Sequence, residues 1–177
     1  MDNIEKILIE ELSGKAFEIA VIPAEKIVFS EETRKSCVMN HCGRDNKSWM
    51  CPPAVGEIAE LEKKYKSYKN ALVFTTKTTL SDSFDIEGME SARNKHLEIE
   101  RNAVEKVKGL GAEWLSAGCC SQCESCSYPD KPCRYNETAR PSPEACGIDV
   151  TLLAKICNIR YYNGKNTVTY FSVILWN

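Results

Sequence analysis

"IRYYNGKNTVTYFSVILWN", Ile159 to Asn177, decides which layer architectures are open to this chain. Two runs rich in β-branched and aromatic residues flank Asn163-Gly164, the pair a tight hairpin turn prefers because its central residues need positive φ. The reading predicts two adjacent strands. Just upstream, Asp149 can cap a helix that carries Val150, Leu153, Ala154 and Cys157 on one face. Further back, "ALVFTT" from Ala71 has the pattern of a buried strand. "AFEIAVIP" (Ala16 to Pro23) reads as another, with "KIVF" (Lys26 to Phe29) as a short extended piece and "AEWLSA" as a short strand. Between them lie helical patterns. Ile4, Ile7, Leu8 and Leu12 recur at helical spacing before Gly14. "AVGEIAELEKKYKSY" follows Pro52 and Pro53, which a first helical turn tolerates. The longest helix spans Ile86 to Leu110, with an apolar stripe of Ile86, Met89, Leu97, Val104, Val107 and Leu110. Its other faces, His96 included, carry charges of alternating sign and read as solvated. This order predicts an α/β or α+β fold over residues 1–177. The expected form is a single compact domain with a mixed β-sheet, packed helices and cysteine-rich loops near strand ends.

Composition narrows the function. The chain has 177 residues, 43% of them hydrophobic, with 23 basic and 25 acidic residues and a formal charge of −2. That balance argues against a general nucleic-acid binder, which carries a basic excess. The opening "MDNIEKILIEELSGK" is acidic and amphipathic, unlike a secretory signal. No apolar run approaches the roughly 20 residues that span a bilayer. The expected location is therefore cytoplasmic and away from the membrane, where thiols stay reduced. Ten cysteines in that setting read as metal ligands or catalytic groups before disulfides.

Six of the ten fall in "AGCCSQCESCSYPDKPCRYNETARPSPEACG", Ala117 to Gly147. Cys120, Cys123 and Cys126 form C-x2-C-x2-C, and Cys133 follows. A zinc knuckle uses C-x2-C pairs and draws its second pair from a distant element. An iron–sulfur cluster is larger, and a loop wraps it with a ligand at every third residue. The spacing favours the cluster, with zinc as the alternative. A second set, Cys37, Cys42 and Cys51, lies in "CVMNHCGRDNKSWMCPP". Gly43 lets backbone approach a bulky group, and Cys51-Pro52 repeats the Cys-Pro junction of ferredoxins. The two runs supply seven thiolates, and two 4Fe-4S clusters need eight. Cys146, after Ser142-Pro143-Glu144, is the expected eighth. The predicted sites are thus Cys120, Cys123, Cys126 and Cys133, and Cys37, Cys42, Cys51 and Cys146, with exchange of the fourth ligands open. Cys119 is expected to point away from the site of Cys120, and Cys157 to be a small core residue.

Arg134 and Arg140 flank the loop and are predicted to offset cluster charge or hydrogen-bond its sulfurs. Trp49 reads as a shield for the site or as a core residue. His41, a single histidine beside Cys42, reads as a neighbour of the site or as exposed. The chain has no phosphate-binding glycine loop, H-E-x-x-H or nucleophile elbow.

These motifs resemble a known family. "CxxxxCG…WxCPP" around Cys37 to Pro53, "CxxCxxC" at Cys120 to Cys126, "PCR…ARPSxEACGIDV" at Pro132 to Val150 and "NTVTYFS" at Asn166 to Ser172 are similar to the predicted metal-binding proteins of domain of unknown function 2284, mostly from anaerobic bacteria and archaea. The resemblance covers nearly the whole chain and implies a cysteine-bound metal centre of iron–sulfur type. Together with the ligand count, it leads to an expected cytoplasmic electron-transfer protein with two clusters and a redox partner protein. Two alternatives are an enzyme with an open-site cluster acting on a small molecule, and a structural zinc-binding interaction module.

Overall fold

The computed structural model describes residues 2–39 and 41–177. A four-stranded sheet runs through its middle, with β1 (Glu18–Pro23), β2 (Asn70–Thr79), β3 (Glu113–Leu115) and β4 (Thr167–Trp176) in the order β1-β2-β4-β3. All three pairings are antiparallel, so the fold is α+β and the sheet is antiparallel throughout rather than mixed. The longest pair is β2 with β4, in register from Asn70 opposite Trp176 to Thr79 opposite Thr167.

Helices cover both faces of the sheet, which explains why "ALVF" and "VILW" are apolar without alternation. On one face α1 (Asn3–Leu12) and α4 (Ile86–Lys106) bring Leu8, Leu12, Ala103 and Val107 against Leu72, Phe74, Ile174 and Trp176. On the other, α3 (Ile58–Lys66) and α5 (Val150–Ile156) bring Leu61, Tyr65, Leu153 and Ala154 against Ala71, Val73, Val173 and Leu175. The strand period of two sends alternate side chains to the two layers. Each fully buried large aliphatic contributes about 1.5–3 kcal/mol. Asp2 caps α1 by accepting from the Glu5 amide at 2.8 Å, and it also accepts from the Trp176 indole at 2.6 Å, pinning the helix to the end of β4. Gly14 follows α1 with φ +74°, the expected left-handed cap.

Three expectations are corrected. No hairpin forms about Asn163-Gly164. β4 is paired along all ten of its residues with β2, while the Arg160 amide turns to the Glu18 carboxylate and Tyr162 stays 70% exposed. The helix after Cys51 begins only at Ile58, because Gly56 at φ +107° interrupts any helical run from Pro52. Finally, α4 ends at Lys106 and buries Ala92, His96, Leu97, Glu100 and Ala103, whereas Ile86 is 68% exposed. Small residues let α4 approach the sheet closely, and its buried polar groups are satisfied by the strands.

That last feature places His96 in the core rather than on a solvated face. Ser172 donates to Glu100, which leaves its oxygen to accept from His96 Nε2 at 2.8 Å; His96 Nδ1 then accepts from the Thr76 hydroxyl at 2.8 Å. Glu100 takes a further hydrogen bond from Ser116 at 2.7 Å. Burial, then the nearby Arg93 charge, depresses His96 to about 3, and burial raises the Glu100 carboxyl. The imidazole is therefore neutral, stacked on Phe74 with ring centroids 4.9 Å apart.

Candidate metal centre

The first cysteine loop starts on a helix that hydrophobic patterning does not reveal. α2 (Glu31–Val38) is capped by Ser30, which accepts from the Glu32 amide at 3.2 Å, and Glu31 and Glu32 complement the dipole of its first turn. It ends where the chain enters the loop and carries Cys37 in its last turn. The Cys37 sulfur lies 3.9 Å from the Glu144 carbonyl oxygen. Burial, the Cys42 thiol and Glu144 raise the Cys37 thiol, and Arg34 opposes them. Cys42 is exposed and Cys51 is buried. Burial pushes the Cys51 thiol to about 11, opposed by a hydrogen bond from Ser48 and reinforced by the thiols of Cys119, Cys42 and Cys37.

The second loop leaves β3 through a clamp. Arg93 of α4 donates from Nε to the Ala117 carbonyl at 3.2 Å and from Nη2 to the Cys119 carbonyl. Gly118, between them, has φ +72°, and a β-carbon there would meet Arg93 Nε at 2.9 Å, so this position requires glycine. Cys120, Cys123, Cys126 and Cys133 are all half-buried. Burial raises the Cys120 thiol, a hydrogen bond from the Gln122 amide opposes it, and the thiols of Cys123, Cys133 and Cys126 add to the rise. The other three thiols therefore act on Cys120. Cys126 differs. Burial raises it, but hydrogen bonds from the Tyr128 and Trp49 amides and from Ser48, with the Arg134 charge, hold it below the ordinary thiol value. Arg134 donates from Nη2 to the Ser125 carbonyl, and its side chain also bonds Cys123.

The two loops meet edge to edge. Trp49 Nε1 donates to the Lys131 carbonyl at 3.0 Å, and its ring sets T-shaped against Tyr128 at 4.9 Å. The Tyr128 hydroxyl donates to Asn46 at 3.0 Å. Ser48 acts to lower the thiols of both Cys51 and Cys126, one from each set. Trp49 is thus neither a core residue nor an isolated shield; it joins the loops. Backbone completes the seam, with Phe29 bridging Ile148 and the Ser30 amide donating to the Gly147 carbonyl at 2.7 Å.

Cys146, Cys157, Arg140 and His41 remain. Cys146 is fully buried in the core layer under α3 and α5, with its sulfur 3.8 Å from the Tyr65 hydroxyl. Burial pushes its thiol to about 12, tempered by that hydroxyl and by the charges of Arg34 and Lys64. Cys157 is a core residue, as expected. Arg140 stacks 3.9 Å over Trp114 and pairs with Glu113 at 3.5 Å. His41 is exposed.

Donor chemistry fits a large anionic group bound through sulfur. Two sets of thiols sit in loops, with cations at hand. Arg34 spends one nitrogen on the Gly56 carbonyl at 3.1 Å, while its buried Nε and Nη2 have no partner among the described residues. They lie within electrostatic reach of Cys37. Buried guanidinium N–H groups normally find an acceptor, and cluster or thiolate sulfurs would supply one. Among the described residues, no three His, Cys, Asp or Glu side chains are placed to hold one metal ion.

Sequence reasoning singled out Arg134 and Arg140 but missed Arg34, Ser48 and Arg93. Arg34 had a usable signal in Ser30-Glu31-Glu32, which marks a helix start four residues ahead of it. Ser48 and Arg93 had none, because their roles depend on contacts between distant segments. No helix is long and apolar enough to cross a membrane among the described residues. Neither curated proteins nor solved structures give a match. A family model does: predicted metal-binding protein (DUF2284) matches residues 20–176, taking in both cysteine loops and all four strands but for two residues of β1, and the chain belongs to that family.

Proposed function

We propose that the chain is a cytoplasmic iron–sulfur protein holding two 4Fe-4S clusters and exchanging single electrons with a redox partner protein. One cluster is held by Cys120, Cys123, Cys126 and Cys133. The other is held by Cys37, Cys42, Cys51 and a fourth thiolate from the second loop. Bound clusters supply one-electron chemistry at potentials that charge, hydrogen bonds and burial adjust. The observation that supports this reading is the seam between the two cysteine loops, where Trp49 donates to the Lys131 carbonyl and packs against Tyr128. Arg34 and Arg134 bring positive charge to the two sets, and the Trp49 and Tyr128 amides bond Cys126. The test is the visible and EPR spectrum of protein purified without oxygen, before and after dithionite. A brown absorbance that bleaches on reduction, with an EPR signal from reduced clusters, is expected. A spectrum that dithionite leaves unchanged would overturn the proposal.

One observation favours a second reading as an enzyme with an open-site cluster. A cavity of about 820 Å³ lies between Trp49 and Met50 of one loop and Lys131 to Cys133 of the other, with Lys64, Arg140 and Glu113 on its wall. This is within the size range of small-molecule sites. Under this reading a small molecule added to the reduced protein perturbs the EPR of one cluster; a pure carrier shows no such response.

A further inference from the structure

We infer that the cavity between the two cysteine loops binds a small organic monocarboxylate, which gives a ligand class to the second reading above and rests on it for the location alone. The acid group meets the wall of Lys64, Glu113 and Arg140, and the apolar body lies against α3 and the second loop. Three features of the wall carry this. First, two cations share one acceptor. Arg140 donates from Nη1 to the Ala139 carbonyl at 2.8 Å, but its buried Nε makes no hydrogen bond among the described residues. Glu113 Oε1 stands 3.5 Å from that Nε, too far for a good one, and 3.3 Å from Lys64 Nζ. Buried guanidinium N–H groups normally find acceptors, and the planar fork matches a carboxylate.

Second, both cations are held in place. The Arg140 guanidinium lies 3.9 Å over the Trp114 ring, and Lys64 Nζ lies 5.0 Å over the Tyr65 ring. Charges fixed on aromatic faces lose little freedom on meeting an anion. Lys131 and Asp130 also line the cavity, so three cations face two carboxylates and one negative charge balances the wall. Third, the rest of the lining suits an organic body. Val55, Leu61, Pro132, Ala139 and Pro141 border the space, and small-molecule sites combine such apolar walls with a few placed polar groups. Cys133 lines the same space, so a bound acid lies beside the second thiol set.

The test is equilibrium dialysis of the wild-type protein, purified without oxygen, against hexanoate and benzoate, their neutral amides and inorganic phosphate. Saturable binding of at least one of the acids is expected, one per chain and about tenfold or more tighter than its amide. Arg140→Gln should weaken that binding by about tenfold or more. No saturable binding of either acid, equal binding of acid and amide, tighter binding of phosphate, or unchanged affinity in Arg140→Gln would overturn the inference. A second measurement needs no variant to fold. Acetylation of Lys64, read by mass spectrometry, should slow when the acid is bound, while Lys6 of α1, across the sheet, should react as before. Equal rates at Lys64 with and without the acid would also overturn it. Binding that leaves the EPR of the reduced clusters unchanged would retire the enzyme reading and keep the carboxylate site. Absence of binding would remove the site and leave the electron-transfer reading untouched.

Discussion

The sheet and the cysteine lobe are held together by different means. In the sheet layers, Leu72, Phe74, Val173, Ile174, Leu175 and Trp176 are all 0% exposed, and two helical layers close over them. In the lobe, α2 buries none of its residues, Cys42 is exposed, and the second set is only half covered. The layers fold on apolar burial. The lobe depends on a few hydrogen bonds, one aromatic pair and thiols whose natural partner is a metal. A chain can therefore keep its fold while the lobe waits for its metal, unlike a zinc finger whose whole structure depends on the ion.

The largest effect should come from the layers. Phe74→Ala removes a ring that packs on His96 and is expected to destabilise the protein by about 3–5 kcal/mol in denaturant unfolding. Metal content per folded chain should not change. A parallel loss of metal would break the separation between the two regions.

Acid gives the next effect. In the unfolded chain His96 protonates near 6.5, while in the fold it stays neutral to about 3. The unfolded state binds the extra proton between these values, so stability falls as pH drops through 6.5, by at most about 1.4 kcal/mol per pH unit. Glu100 acts in the opposite sense: its raised carboxyl favours the fold at low pH, and that contribution is lost as pH rises. The imidazole faces Thr76 of β2, Ser172 of β4, and Arg93 of its own helix. Comparing urea midpoints of wild type and His96→Gln at pH 7 and pH 5 isolates the histidine. A smaller acid loss is expected in the variant, and an equal loss would remove His96 from the account.

Smaller effects belong to the lobe. Trp49→Ala deletes the Tyr128 contact and the bond to Lys131, together about 1–2 kcal/mol. Hydrogen exchange should rise in both cysteine loops while β2 and β4 keep their protection; equal exposure of the strands would show that lobe and sheet open together. Arg34→Gln should leave metal content intact and lower the reduction potential of the first centre, because a positive charge that favours the reduced, more negative state is gone. A redox titration followed by EPR reads that shift, and an unchanged potential would assign Arg34 a packing role.

The layers and the lobe also differed in how plainly their residues announced them. The strands at "ALVF" and "TYFSVILW", the caps at Asp149 and Gly14 and both cysteine runs were legible, because each rests on local pattern or spacing. The start of the helix after Cys51 was misplaced because Gly56 outweighed two prolines. The hairpin failed because Asn163-Gly164 favours a turn but cannot choose the partner of β4, and β2 takes that place over ten residues. His96 read as solvated because its partners, Thr76 of β2 and Ser172 of β4, come from strands distant in sequence. In the site, residue type and spacing pointed to the thiols. Which thiol faces which set depends on how the loops cross, and no local spacing records that crossing.

The central claim is that the two cysteine sets hold two iron–sulfur clusters. Its most direct test is the iron and acid-labile sulfide content of wild-type protein purified without oxygen. About eight of each per chain are expected. Zinc without sulfide, or iron sufficient for one cluster only, would contradict the account.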